Sequence, residues 1–113
     1  SVLTRDERCV EVLLSNGWDI NERGDCGRTA LHEAAKEGML TMIRLLLKHN
    51  PNIDALDNYE KTPLIYGSHF ERPFIIQELL EANADINKVD SVGAGAIYYA
   101  SYEGHVETVK MLL

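Results

Sequence analysis

The chain has 113 residues, of which 45% are hydrophobic and 26% charged, a composition typical of one globular domain. Its formal net charge of −7 offers no attraction to a phosphate backbone, so nucleic acid and anionic membranes are poor candidate ligands. No apolar run approaches the length of a membrane span. The two cysteines, Cys9 and Cys26, form neither a disulfide framework nor a metal motif. We therefore expect a protein of a reducing compartment, either the cytoplasm or the nucleus.

A pair of leucines recurs along the chain at a constant interval. It occupies positions 13–14, 46–47, 79–80 and 112–113, so each copy is displaced by 33 residues from the last. A second set in one phase consists of Asn21, Asp54 and Asn87. A fixed period of this size predicts stacked supersecondary units rather than a single irregular core.

The first complete unit predicts two short helices. Thr29 can accept the first backbone N–H groups of a helix, and Gly38 can end that helix in a left-handed conformation. Between them, Ala34 and Ala35 are small enough to let neighbouring helices approach closely. The second helix carries the leucine pair, with Ile43 on the same face and directed into the stack.

Three positions depart from the pattern that the units share. Thr62 and Pro63 open the next first helix as expected, but Glu71 stands where a glycine should end it. In the following unit Gly95 replaces the capping threonine, which removes the side-chain cap. At the hairpin of the first complete unit, Gly24 stands where the other copies have aspartate.

These residues resemble the ankyrin-repeat family. Its pattern is nearly spelled out by TALHEAAKEG at 29–38 and LLEANADIN at 79–87, and the resemblance covers essentially the whole chain. It implies an all-α solenoid of stacked helix-turn-helix units with hairpin loops, about three to four repeats. We expect one array over 1–113, with a partial repeat at 1–21, repeats at 22–54 and 55–87, and a partial repeat at 88–113. We also expect it to be a piece of a longer array.

The sequence gives little support for catalysis, a metal or a cofactor. His32-Glu33 followed by Lys36 misses the second histidine of the zinc helix His-Glu-x-x-His. By resemblance, His32 instead takes the structural position from which the family's histidine ties neighbouring loops together. Gly93-Ala94-Gly95 lacks the third glycine of a dinucleotide site. We expect neither enzymatic activity nor a cofactor.

The resemblance implies that a partner protein binds in the concave groove formed by the hairpin tips and the first helices. Carried over by register, the candidate binding residues are Arg28, Lys36, Tyr59, Lys61, Tyr66, His69, Phe70, Tyr99, Tyr102 and Glu103. Five of them form what we call the aromatic stripe: Tyr59, Tyr66, Phe70, Tyr99 and Tyr102. Aromatic side chains are the usual anchors of protein interfaces. The alternative for Tyr66 and Tyr99 is packing between adjacent helices.

We expect a protein-interaction module that is monomeric and binds a protein with a basic or apolar docking segment, without binding nucleic acid or membrane. The alternatives are a regulatory or targeting segment of a larger enzyme, channel or ubiquitin-ligase adaptor, and a pathogen effector. The family resemblance also makes the hairpin asparagines Asn21 and Asn87 candidate substrates of iron- and 2-oxoglutarate-dependent hydroxylases.

Overall fold

A computed structural model describes residues 4–113, which form seven α-helices. The helices are α1 (Arg5–Ser15), α2 (Ala30–Glu37), α3 (Leu40–Leu47), α4 (Pro63–His69), α5 (Pro73–Glu81), α6 (Ala96–Tyr102) and α7 (Val106–Leu112). A 3₁₀ turn at Asp25–Gly27 and an isolated antiparallel bridge between Val89 and Gly95 are the other regular features of this range. The predicted all-helical class is confirmed.

The helices lie in two rows. The first helices of the units, α2, α4 and α6, pack on one another in sequence, and α1, α3, α5 and α7 form the second row. Each first helix also packs on the second helix that follows it. The molecule measures 40 × 30 × 21 Å, the elongated shape expected when each unit contacts only its neighbours.

The core lies between the two rows. Ile43 and Leu46 on α3 are fully enclosed, and so are Ile76 and Leu79 at the equivalent positions of α5. The spacing of three residues within each pair places both side chains on one face of the helix. The same 33-residue period that identified the units in the sequence therefore marks their buried positions.

The starts of the first helices follow their local chemistry. The Thr29 hydroxyl accepts from the backbone N–H of His32 at the start of α2, and Thr62 accepts from that of Ile65 at 3.2 Å in α4, where Pro63 is the first helical residue. At α6 the cap residue is Gly95, which makes no side-chain hydrogen bond. The structure thus confirms that the start of α6 lacks a side-chain cap, as the sequence predicted.

The ends of the first helices use a left-handed residue. Gly38 after α2 has φ of 77° and Gly104 after α6 has φ of 76°. Glu71 takes the same role after α4 with φ of 54°, although an L-residue with a side chain pays about 1–2 kcal/mol for that conformation. The repeat geometry thus imposes the left-handed turn even where glycine is absent.

One core position carries an unpaired polar group. Thr108 on α7 is buried, and its hydroxyl has no hydrogen-bond partner among the described residues. The preceding units place Met42 and Ile75 at this position. The equivalent positions in the preceding units are therefore filled by apolar side chains.

Replacing Thr108 with valine is expected to raise the free energy of unfolding by about 1 kcal/mol. The change removes an unsatisfied buried hydroxyl and keeps both the shape and the β-branching of the side chain. Urea unfolding measures the difference. Thr41→Val at an exposed position of α3 is the control and should change stability by less than about 0.5 kcal/mol. Destabilisation by Thr108→Val would contradict the assignment of an unpaired hydroxyl.

Candidate partner-binding groove

A buried histidine links two consecutive hairpins at one edge of the groove. The His32 ring is fully enclosed, its Nδ1 accepts from the Thr29 backbone N–H at 3.1 Å, and its Nε2 donates to the Lys61 carbonyl at 2.8 Å. Burial is the main reason that the pKa of His32 lies below its usual value. His32 therefore works as a neutral clamp between neighbouring units, the structural role expected from the sequence.

This clamp makes stability depend on pH. Because the folded protein holds His32 neutral while the unfolded chain protonates it near pH 6.5, the unfolded state binds more protons below that pH. The free energy of unfolding should therefore fall as pH drops from about 6.5, with a slope approaching about 1.4 kcal/mol per pH unit from this residue. Urea unfolding between pH 7.5 and 5 measures it. His32→Gln retains the other histidines, so equal slopes for both proteins would contradict the prediction.

The hairpin tips are joined to one another by backbone hydrogen bonds. The Asn58 N–H donates to the Cys26 carbonyl at 2.8 Å, and the Ser91 N–H donates to the Tyr59 carbonyl at 2.9 Å. The tips of three consecutive units thus lie side by side. The sequence places the rim of the expected groove at these tips.

Two aspartate–tyrosine pairs stabilise the later units. Asp57 accepts from the backbone N–H groups of Tyr59 and Lys61, each at 2.9 Å, and from the Tyr66 hydroxyl. One unit later, Asp90 accepts from two hairpin N–H groups and from the Tyr99 hydroxyl in the same way. Each carboxylate therefore joins a hairpin to the first helix that follows it.

The titration behaviour of these pairs reflects the same contacts. Burial of Tyr66 is the main reason that its pKa lies above the ordinary value, and the hydrogen bond to Asp57 adds to the effect. Burial of Tyr99 and its hydrogen bond to Asp90 likewise raise the pKa of Tyr99 to about 12. Burial opposes ionisation of Asp90, but the Tyr99 hydroxyl and the backbone N–H groups outweigh it and lower its pKa. The phenols are protonated donors and the carboxylate is an ionised acceptor.

The aromatic stripe divides into a buried and an exposed part. Tyr66 is 5% exposed and Tyr99 is half-buried, with both hydroxyls bonded internally. Tyr59, Phe70 and Tyr102 are 52%, 39% and 76% exposed. The helix-packing alternative thus describes Tyr66 well, while the other three present ring surface to solvent.

The rings of the stripe are connected through histidine. His69 stacks on Phe70 and on Tyr99 with centroid separations of 4.7 Å each, and Phe70 stacks on Tyr66 at 6.5 Å. His69 also lies 3.5 Å from the Glu103 carboxylate. The predicted residues of α4 and α6 therefore form one continuous surface rather than isolated side chains.

The predicted basic residues occupy different environments. Arg28 is paired with Glu33 at 2.8 Å and lies 6.0 Å from the centre of the Tyr66 ring. Lys36 is partly exposed, and its carbonyl accepts two hydrogen bonds from Arg72 of the next unit. Lys61 lies over the rings of Tyr59, Tyr66 and Tyr99.

Sequence reasoning missed Tyr98, an exposed aromatic residue that contacts the stripe. Tyr98 is 54% exposed, stacks on Tyr102 at 6.1 Å and contacts Tyr99 edge-on at 5.5 Å. Its register is that of His32 and Ile65, both of which are fully enclosed. The repeat pattern therefore indicated a core position, but within residues 4–113 no further unit packs on Tyr98.

The two candidate hydroxylation sites lie at exposed positions between units. The Asn21 side-chain oxygen accepts from the Asn52 backbone N–H at 2.8 Å, which ties one loop to the next. Asn87 is exposed in the equivalent register, and its own N–H donates to Asp85 at 2.9 Å. Both side chains thus lie at the surface of the loops.

Neither a metal-binding cluster nor a membrane-spanning helix is found within residues 4–113. No cluster of three or more histidine, cysteine, aspartate or glutamate side chains in this range is placed to hold a metal ion. None of its helices combines the length and the apolar character needed to cross a membrane.

Comparison with known proteins identifies relatives across most of the chain. Residues 2–90 match the family described as "Ankyrin repeats (3 copies)", and residues 69–113 match "Ankyrin repeats (many copies)". The ankyrin repeat protein nuc-2 of Neurospora crassa is 36% identical over 105 residues, 91% of this chain and 10% of that protein. The human neurogenic locus notch homolog protein 2 is 31% identical over 102 residues, 89% of this chain and 4% of that protein.

A plant protein gives a similar result. The putative E3 ubiquitin-protein ligase XBAT31 of Arabidopsis thaliana is 34% identical over 86 residues, 75% of this chain and 19% of that protein. The chain thus spans less than a fifth of the length of each of these relatives. Matched family patterns over most of its length, together with two rows of stacked helices, give one conclusion: the chain belongs to the ankyrin-repeat family.

Proposed function

We propose that this chain is a protein-interaction module that binds a partner protein in the groove between its hairpin tips and first helices. The observation that carries the proposal is the exposed aromatic surface of Tyr59, Phe70 and Tyr102. Such residues supply large, rigid contact area, and burial of one aromatic anchor contributes strongly to affinity. Ankyrin repeats serve as interaction modules, which agrees with this role.

The groove is preorganised for binding. The Asp57–Tyr66 and Asp90–Tyr99 pairs and the stacked His69 hold the hairpins and helices that display the exposed rings. A surface that is already ordered loses less conformational entropy when a partner binds. We propose Arg28, Lys36, Lys61 and Glu103 as the charged neighbours that adjust specificity around the rings, with Tyr66 and Tyr99 as the supporting layer.

Capture from a cell lysate with identification by mass spectrometry tests this proposal. Proteins bound by the unmodified chain should lose at least about tenfold in recovery with the variant carrying Tyr59→Ala, Phe70→Ala and Tyr102→Ala. Phe74→Ala removes another exposed ring, on α5 and away from the groove, and is the matched control. Equal capture by the triple variant would refute groove binding, provided that circular dichroism shows the fold to be intact.

A second candidate is a regulatory or targeting segment within a larger protein. The lengths of the three relatives support this candidate, because each of them carries the matched segment within a far longer chain. In that case the groove binds another part of the same protein or recruits a substrate for it. The sequence of the full open reading frame distinguishes the two candidates, because a catalytic or membrane domain beside the array would favour the second.

The remaining expectations complete the proposal. The module is non-catalytic and monomeric, and it acts without a cofactor in the cytoplasm or nucleus, where its two exposed free thiols would stay reduced. Asn21 and Asn87 are proposed as hydroxylation sites because both are exposed in the loops between units. Intact peptide mass from the native cell tests this, and the absence of an added oxygen on both peptides would contradict it.

A further inference from the structure

One ammonium group lies among three aromatic rings in the middle of the groove. The Lys61 Nζ is 5.2 Å from the centre of the Tyr99 ring, 5.5 Å from that of Tyr66 and 6.0 Å from that of Tyr59. These distances are within the range in which a cation is attracted to the face of a ring. The three rings come from a hairpin tip and from two successive first helices, so Lys61 joins two units.

The Tyr66 and Tyr99 rings cannot turn away from Lys61 without losing a hydrogen bond. The hydroxyls of Tyr66 and Tyr99 donate to Asp57 and Asp90, which are 3% and 6% exposed. Each carboxylate accepts two further backbone hydrogen bonds and is enclosed by protein. These two acidic groups therefore hold the rings in place but are not available to contact a partner.

The ammonium forms no ion pair at contact distance, although Asp90 is close enough for the charge of Lys61 to help lower the pKa of that carboxyl. Among the side chains that the structure describes, no carboxylate oxygen lies within 4.0 Å of the Lys61 Nζ, whereas Arg28, which also lies near the Tyr66 ring, is paired with Glu33. Lys61 is also partly exposed toward the groove. Its three N–H donors are thus left for water or for an incoming group.

Without this lysine, the three rings would favour a positively charged group of a partner. Three ring faces in a protein of net charge −7 would attract a basic side chain of a partner. Lys61 occupies that position itself and repels a second cation. The sequence predicted a basic or apolar docking segment, but a cation among the rings favours an acidic one.

We propose that Lys61 sets the charge selectivity of the groove because its ammonium occupies the space among the rings of Tyr59, Tyr66 and Tyr99. It accepts a partner segment that places a carboxylate side chain at this point, with apolar residues beside it on the exposed rings of Phe70 and Tyr102. It rejects a lysine or arginine at the same point. This inference deepens the proposed function and rests on it.

Selection from a random library of 12-residue peptides displayed on phage tests the inference. Peptides enriched on the unmodified chain should carry aspartate or glutamate beside an apolar residue. Lys61→Met retains the length of the side chain without its charge and should weaken these peptides about tenfold, and Lys61→Glu should weaken them further. Lys48→Met, at an exposed lysine at the end of α3, is the control and should leave affinity unchanged.

A double-mutant cycle gives the direct readout. Replacing the peptide carboxylate with its amide should weaken binding to the unmodified chain but have little further effect on Lys61→Met, because the two groups act on each other. Peptides enriched in lysine or arginine, or peptides indifferent to both Lys61 variants, would overturn the inference. If those peptides still lost binding to the Tyr59, Phe70 and Tyr102 alanine variant, the proposed function would stand. A selection that gave no groove-dependent peptide would count against both.

Discussion

Replacing Ile76 with alanine is expected to lower the free energy of unfolding by about 4 kcal/mol. The side chain is fully enclosed between the two rows of helices, and its Cγ1 lies 3.4 Å from the position that a Cβ on Gly67 would occupy. The change removes three buried carbon atoms and leaves a cavity that rigid neighbouring helices fill poorly. In an array whose units contact only their neighbours, the loss also weakens the coupling between units.

Urea unfolding followed by circular dichroism measures this effect. Ile76→Val should cost about 1 kcal/mol, and Val12→Ala at an exposed position of α1 should cost less than about 0.5 kcal/mol. A loss of less than 1 kcal/mol for Ile76→Ala would show that the packing between the rows does not carry the stability of the array.

Replacing Asp57 with alanine is expected to lower the free energy of unfolding by about 3 kcal/mol. The change removes three acceptor contacts and leaves the Tyr66 hydroxyl and two hairpin N–H groups without their partner. Each buried donor that loses its partner costs about 1–3 kcal/mol, and water that reaches the hairpin recovers part of the sum. The hairpin of this unit should also lose its order, because the same carboxylate joins it to α4.

Asp25→Ala is the control for this change. Asp25 lies at the exposed hairpin tip of the preceding unit, so its removal should alter stability by less than about 0.5 kcal/mol. Combining Asp57→Ala with Tyr66→Phe should cost less than the sum of the single changes, since the phenylalanine no longer needs an acceptor. Strict additivity would contradict a direct bond between the two side chains.

The sequence predicted the helices well because their signals are local and repeated. The leucine pairs, the capping threonines at 29 and 62 and the glycines at 38 and 104 recur in register, so each copy supports the others. The same register predicted the left-handed turn at Glu71 and the uncapped start at Gly95, and the structure shows both. The fold class followed from this register together with the resemblance to the ankyrin-repeat family, which implies stacked helical units.

The groove was less predictable, since its details depend on side chains that meet across units. Asp57 and Tyr66 are nine residues apart and touch because the hairpin folds back on the start of α4. The first complete unit lacks both members of this pair, with Gly24 and Glu33 in their places. The aspartate and tyrosine that recur together in the other two units were the sequence signal from which this contact could have been predicted.

The exposure of the aromatic residues depends on how the units stack. Tyr66 is buried and contacts His32 and Arg28 of the preceding unit, whereas Tyr98 stays exposed although the equivalent positions of the two preceding units are buried. The three rings around Lys61 likewise belong to two units, so their convergence is a property of the stack and not of any local motif. Position within the array, rather than residue type, decided which rings face solvent.

Photo-crosslinking from two phenylalanine positions tests groove binding most directly. Phe70 belongs to the proposed groove and Phe74 lies on α5, outside the proposed site, and both rings are exposed. Each is replaced singly by benzoylphenylalanine, the proteins are irradiated in cell lysate, and covalent adducts are identified by mass spectrometry. Groove binding predicts a specific adduct from position 70 and none from position 74. Adducts from position 74 alone would place the partner on another face and contradict the proposed function.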